Sequence, residues 1–289
     1  MSTDEITGPW RRPVNDAADR AGSIHDDATA RRAGFRGGTV AGSIHLDQFV
    51  PVLLDAFGRD WFETGSVSLY FRNATVDREA VRVACERPSG ADGAASSVRT
   101  WMKTEEGALV AEGSAAVGAD AAPTALAVRD LRAGDPSELK LLRLRPGDRF
   151  ESRMPIDGTR QQARIRSATL TEPIDWYDGP SPWGGAVASP QTVIDLFSAA
   201  GVAGFGDRLG DAVAMYGALE VRHHRGPLLL GAEYDLEGKV VAVGQSPQTE
   251  YFWWDGTASD DRGPVATMRM MSRALKAGQT SPAGGGRVG

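Results

Sequence analysis

The chain has 289 residues, 41% of them apolar, with 32 basic against 38 acidic side chains for a formal net charge of −6. That length allows two domains of about 100–150 residues or one large one, and the apolar share is that of an ordinary globular protein. The basic residues are scattered apart from a short run at Arg143, Arg145, Arg149 and Arg153, which argues against nucleic acid as a partner but leaves room for an anionic small molecule. No stretch approaches the roughly 18 consecutive apolar residues of a membrane span. Met1 to Glu5 is polar and acidic, unlike a secretory signal. The single cysteine, Cys85, excludes an internal disulfide and a cysteine metal cluster. With no phosphate-binding, dinucleotide or G-x-S-x-G motif, the expectation is a cytoplasmic protein without metal or cofactor.

Residues 1–10 read as a flexible lead-in, and Arg11 to Arg32 is polar and irregular. From Ser23 to Phe49 the chain concentrates chemistry: His25 and His45, two of the four histidines, lie near Asp26, Asp27 and Asp47. Between them a glycine-rich turn (Gly34, Gly37, Gly38, Gly42) leads into an apolar run. Glycines allow close backbone approach, and a helix starting after them points free N–H groups at the same spot. Ile44, Leu46, Phe49, Val50, Leu53 and Phe57 recur at helical spacing, predicting a helix closed by Gly58, with Pro51 arguing for a kink or a later start. His45 at this helix start has its protonated form disfavoured by the helix dipole, as suits a neutral proton acceptor.

Four strands follow, at Ser66 to Val76, Val81 to Cys85, Ser97 to Lys103 and Leu109 to Val117, from their alternation and turn residues. Gly118 to about Gly134 is rich in Ala, Asp and Pro and reads as a linker. Arg149 to Leu170 contains alternating segments that read as further strands, and Pro173 to Pro182 is turn-rich. His223 and His224 are adjacent in a strand pattern and therefore face opposite sides, so they do not form a metal pair; Trp253 and Trp254 split likewise. The tail, Gln279 to Gly289, lacks the apolar content to order itself.

A repeat runs through the chain. Gly37-Gly38-Thr39-Val40-Ala41-Gly42 matches Gly184-Gly185-Ala186-Val187-Ala188-Ser189 at an offset of 147 residues. Each copy leads into an apolar helix (Leu46 to Phe57; Val193 to Ala200) and then into strands, the second set at Ala218 to His224, Val240 to Gly244, Thr249 to Trp254 and Pro264 to Met271. On this alignment Thr192 stands in the place of His45. The expected organisation is an N-terminal unit over 1–120 carrying the site, a linker over 121–140, a degenerate C-terminal unit over 141–278, and a disordered tail over 279–289.

A helix reached through a Gly-Gly turn and wrapped by about five antiparallel strands resembles the hotdog fold, and two tandem copies resemble a double hotdog of the α+β class. The residues Ile24-His25-Asp26-Asp27 and Gly34-Phe35-Arg36-Gly37-Gly38 are similar to the hydratase segment of MaoC-like (R)-specific enoyl-CoA hydratases and acyl dehydratases. The resemblance implies a lyase that adds or removes water at an acyl thioester carried on coenzyme A or a carrier protein, with His25 in the histidine role. Gly37, Gly38 and Gly42 would surround the acyl group, beside Asp27 and Arg36, and a homodimer is allowed. In the family an aspartate lies five residues before the histidine; here that residue is Arg20, and Asp19, one place earlier, is the candidate substitute. His45 stands outside the family motif as a candidate pocket-lining catalytic residue. Thioester hydrolysis, with Asp47 as the carboxylate on the central helix, and non-catalytic binding of an acyl or aromatic ligand are the alternatives.

Overall fold

The computed structural model describes residues 4–89, 96–172 and 174–276; the expected disordered tail lies outside them. The first half contributes β1 (Glu5–Thr7), α1 (Asp27–Arg32), α2 (Gly42–Phe57), α3 (Asp60–Thr64), β2 (Ser66–Phe71), β3 (Val81–Glu86), β4 (Ser96–Thr104) and β5 (Leu109–Val117). The second contributes β6 (Arg149–Pro155), α4 (Thr159–Arg166), α5 (Pro190–Phe205), β7 (Ala214–His223), β8 (Glu233–Gln245), β9 (Thr249–Asp260) and β10 (Gly263–Leu275). All ten strands join one antiparallel sheet in the order β1-β3-β4-β5-β2-β7-β10-β9-β8-β6. From its outer edge inward, each half follows the same sequence of strands, and the two meet where β2 pairs with β7 at Val67–Val221 and Leu69–Leu219. The duplication read from the sequence is therefore a duplication of topology.

Strand residues alternate as a half-buried pleat requires. In β4, Val98, Thr100, Met102 and Thr104 point inward while Arg99 and Lys103 face water. In β8, Tyr234 and Leu236 are buried between exposed neighbours. The two long helices pack against each other and against their halves of the sheet, with Ile44, Leu46, Phe49, Leu53, Ile194 and Phe197 fully buried. Trp254 joins this main core, whereas Trp253 lies on the opposite sheet face under Leu126 of the linker. Cys85 is fully buried. No helix among the described residues is long and apolar enough to cross a membrane.

Several elements differ from their sequence reading. The lead-in forms an edge strand, β1, against β3. Helix α2 starts at Gly42 and runs unbroken through Pro51. An interior proline costs about 3 kcal/mol, and each fully buried large apolar side chain returns about 1.5–3 kcal/mol, so α2's core contacts outweigh it. β2 stops at Phe71, after which the chain leaves the sheet and returns as a single bridge between Val76 and Thr39. Residues 149–170 hold one strand and then a helix, α4, whose Arg- and Gln-rich sequence favours helix.

Candidate active site

His25 is positioned by backbone bonds on both sides. The Thr39 N–H and hydroxyl both donate to the Ile24 carbonyl, at 2.8 and 3.1 Å, and the Asn15 amide donates to the His25 carbonyl at 2.8 Å. Gly38 passes so close beneath that a Cβ there would collide with the His25 carbonyl. The imidazole Nδ1 lies 2.7 Å from the Thr39 carbonyl. A carbonyl only accepts, so Nδ1 carries the proton and Nε2 keeps its lone pair. Burial lowers the pKa of His25, the bond to Thr39 opposes this, and the positive charges of Arg160 and Arg20 add to the lowering. The side chain is a neutral base near pH 7.

His25 lines a cavity of about 1470 Å³ together with Arg36, Gly37, Gly42, Ser43 and His45. Gly42 sits against the Phe71 ring, where a Cβ would come within 2.8 Å. His45 is only 3% exposed; its Nε2 meets the Thr75 hydroxyl at 2.8 Å, and burial pushes its pKa down to about 4. Arg36 stands at the rim, paired with Glu79 at 2.6 Å. Asp27 and Gly38 do not line the cavity. The Asp27 carboxylate accepts the Gly38 N–H at 2.7 Å and pairs with Arg31, so it secures the glycine turn, while Asp26 caps α1. Asp19 lies exposed in the preceding turn, outside the lining, whereas Arg20 is part of it.

The second half contributes to the same lining. Asp195 of α5 lines the cavity with Arg160, Ser198 and Tyr216. Arg160 holds Asp195 at 2.9 and 3.1 Å and reaches Asp16 at 2.6 Å, tying α4, α5 and the segment before His25 together. Burial pushes the Asp195 carboxyl up to about 6, against the pull of Arg160. One cavity thus carries a neutral imidazole, His25, and a carboxyl, Asp195, that ionises only as pH rises through about 6.

The repeat supplies an internal comparison. Helices α2 and α5 each span 16 residues, and the bridge Thr39–Val76 corresponds to Val187–Leu229. Gly42 thus matches Pro190 and Thr39 matches Val187, an offset of 148 residues rather than the 147 read from the glycine motif. Asp195 is the counterpart of Asp47, Gln191 of Ser43, and Val193, not Thr192, of His45. The two halves treat these positions differently. Asp47 is fully buried and accepts the Gln191 N–H at the start of α5, at 2.7 Å. It is also held by Ser189 at 3.2 Å and by Arg164 at 2.9 Å. Glu172, also fully buried, faces Arg164 at 3.6 Å and bonds to Gln48 and Thr171. Burial, reinforced by the charge of Asp47, pushes Glu172 up to about 7. The second site is filled by protein. At the start of α2 no side chain caps the helix, and the Gly42 and Ser43 N–H groups have no acceptor among the described residues. The first site is open.

No family model and no curated protein matches the sequence. Solved structures match it in shape. A MaoC-domain protein described as a dehydratase, from Chloroflexus aurantiacus, superposes with a TM-score of 0.63 at 12% identity over 96% of either chain. RV0216 of Mycobacterium tuberculosis, described as having a double hotdog fold, gives 0.61 at 13% identity over 93% of this chain and 94% of its own. A protein of Lactobacillus plantarum described as an oleoyl thioesterase gives 0.52 at 11% identity over 96% and 98%. The fold is a double hotdog. At these identities the likeness is one of fold, and it spans both dehydratase-type and thioesterase-type hotdogs.

Of the residues singled out from sequence, this double hotdog brings His25, His45, Arg36, Gly37 and Gly42 to one cavity and leaves Asp19, Asp27 and Gly38 outside its lining. Asp195, Arg160, Ser198 and Tyr216 escaped the sequence reading. An offset corrected by one residue would have paired Asp195 with Asp47; nothing in the sequence marks Arg160.

Proposed function

We propose that this double hotdog is a lyase that adds water to, or removes it from, an acyl thioester, with His25 as base and Asp195 as acid. In the hydration direction His25 Nε2 takes a proton from water, and the hydroxide oxygen bonds to the β-carbon. The Asp195 carboxyl delivers a proton to the α-carbon, and both groups then exchange protons with solvent. The thioester carbonyl oxygen, which gains charge as the enolate develops, is placed at the Gly42 and Ser43 N–H groups, where the helix dipole favours negative charge. The observation that carries this reading is the filled site. There a carboxylate oxygen of Asp47 accepts the N–H of Gln191, the counterpart of Ser43, which supports putting a substrate oxygen at the Ser43 N–H in the open site. The acyl group would arrive as a small-molecule thioester on coenzyme A or a carrier protein.

Thioester hydrolysis is the competing chemistry, and Asp47, buried in the filled site, is no longer its candidate carboxylate. With a trans-2-enoyl-CoA probe, loss of enoyl absorbance without free thiol supports hydration, and release of thiol supports hydrolysis. His25→Gln is expected to lower hydration at least about 100-fold with the fold retained. Unchanged turnover would remove the proposal.

A further inference from the structure

Strand β7 outruns its neighbour where the two halves of the sheet meet. β2 pairs with it only as far as Tyr70, opposite Ala218, and β7 continues to Ala214 with no strand paired on that side among the described residues. Phe71 and Arg72, where the chain leaves the sheet, line the cavity from one side of this gap, and Met215 and Tyr216 line it from the other. The Tyr216 hydroxyl lies 3.3 Å from that of Ser198, one turn along α5 from Asp195. Met215 pairs with Arg273 of β10, and Arg273 belongs to the same lining. Strand alternation puts Arg273 on the sheet face of Met271 and Trp253, away from the two long helices. The gap thus carries the cavity from the catalytic groups to a cation on the other face.

The other lining arginines are accounted for: Arg36, Arg72 and Arg160 pair with Glu79, Glu112 and Asp195, and Arg20 is exposed to water. Four residues before Arg273 on the same face, Arg269 lies opposite Asp255 in the ladder and is held by it at 2.7 and 2.8 Å. Arg273 lies opposite Tyr251 instead. Its Nε is buried without a hydrogen-bond partner, and no carboxylate pairs with it, among the described residues. Gly217 leaves room beside it, since a Cβ there would come within 2.7 Å of the Nε. Burial works against the charge of Arg273, and Arg129 adds to this while Tyr251 opposes it. A buried cation without a counter-charge is costly, and an apolar ligand would leave it so. Resting on the acyl-thioester reading, we propose that the acyl group carries a second carboxylate and that Arg273 receives it. The edge of a guanidinium meets a planar carboxylate with two hydrogen bonds. The bulkier, more strongly hydrated phosphates of a carrier are left to exposed cations such as Arg20.

The test is calorimetric binding of saturated thioesters in pairs of equal carbon number, on the full chain and on Arg273→Gln. The pairs are glutaryl-CoA with pentanoyl-CoA, adipyl-CoA with hexanoyl-CoA, and suberyl-CoA with octanoyl-CoA, beside free coenzyme A. None of these can be hydrated, so the measurement does not depend on turnover. In at least one pair the dicarboxylic member is expected to bind about tenfold or more tightly than its neutral partner, as a hydrogen bond between charged groups provides. Arg273→Gln is expected to abolish that preference, leave the neutral thioesters unchanged and melt no lower than the parent, because it removes a buried charge that has no partner. Arg273→Lys, which keeps the charge without the fork, should retain part of the preference. No preference at any length, or one that survives Arg273→Gln, would overturn the proposal. So would equal weakening of free coenzyme A and all six thioesters, which would assign Arg273 to a carrier phosphate. A carboxylate preference in a protein that hydrates no enoyl-CoA would remove the lyase reading and leave the Arg273 site standing. Failure to bind any of the thioesters would remove both.

Discussion

Burial moves the titrations of His25 and Asp195 in opposite directions. Burial disfavours charge, so it lowers the pKa of an imidazole and raises that of a carboxyl, as it does at His25 and at Asp195, where the carboxyl is pushed up to about 6. Hydration needs His25 neutral and Asp195 protonated. Its rate should therefore fall on the acid side as His25 gains a proton, and on the alkaline side as Asp195 loses one near pH 6. A pH profile of kcat/KM checks this, and Asp195→Asn should remove the alkaline limb along with most of the rate. Stability follows a different pattern. His45 and His223, each pushed by burial to about 4, stay neutral in the fold and bind protons when unfolded, so they destabilise the fold as pH drops from 6.5 toward 4. Asp195 and Glu172, pushed up to about 6 and about 7, hold protons in the fold that the unfolded chain releases. Their contribution weakens as pH rises from about 4 to 7. The two effects oppose each other, so urea midpoints should vary little between pH 4 and 7. His223→Phe, in contact with Trp61 and Phe62, should expose a midpoint that falls with rising pH.

At the scale of elements, the short helix α4 reaches both sites. Its Arg160 braces Asp195 from the rim of the open cavity, and one turn later its Arg164 is buried between Asp47 and Glu172 in the filled site. Removing one partner of a buried ion pair leaves an uncompensated charge, at a cost of about 3–5 kcal/mol. Arg164→Met should therefore lower stability by roughly that amount, read as a shift of the urea midpoint. Combining it with Asp47→Leu and Glu172→Leu should recover most of the loss, because a buried ion cluster can often be replaced by packed apolar groups. An Arg164→Met protein as stable as the parent would mean that the filled site is not held by this network. The glycine turn is a second device at this scale: Asp27 fixes Gly38, and Gly38 lets the backbone pass under the His25 carbonyl.

Across the whole molecule, the repeated topology makes one sheet with two unequal halves. Much of this was legible in the sequence because strand alternation and apolar helix spacing are local signals. The two long helices, the inner strands and the repeat all follow from them. The segment from His25 to Gly42 was legible because histidines before a glycine turn carry a recognisable chemical pattern. What was not legible depended on distant pairing. The role of Arg160 requires α4 to lie beside both Asp16 and Asp195, 144 and 35 residues away in sequence, and no local pattern reports that. Asp195 was hidden by a one-residue error in the offset, since glycine turns align well by eye but do not fix the register of the helix that follows. The burial of Asp47 was equally invisible, because a carboxylate near a helix start reads the same whether it faces a substrate or a second helix. The account therefore rests on an asymmetry between two residues that the repeat makes equivalent. Comparing Asp195→Asn with Asp47→Asn, by enoyl-CoA hydration and thermal melting on the same preparations, tests it most directly. The expected result is that Asp195→Asn loses at least about 100-fold in kcat with little change in Tm, while Asp47→Asn lowers Tm and keeps the kcat of the folded enzyme. The reverse pattern, or equal activity in both variants, would contradict it.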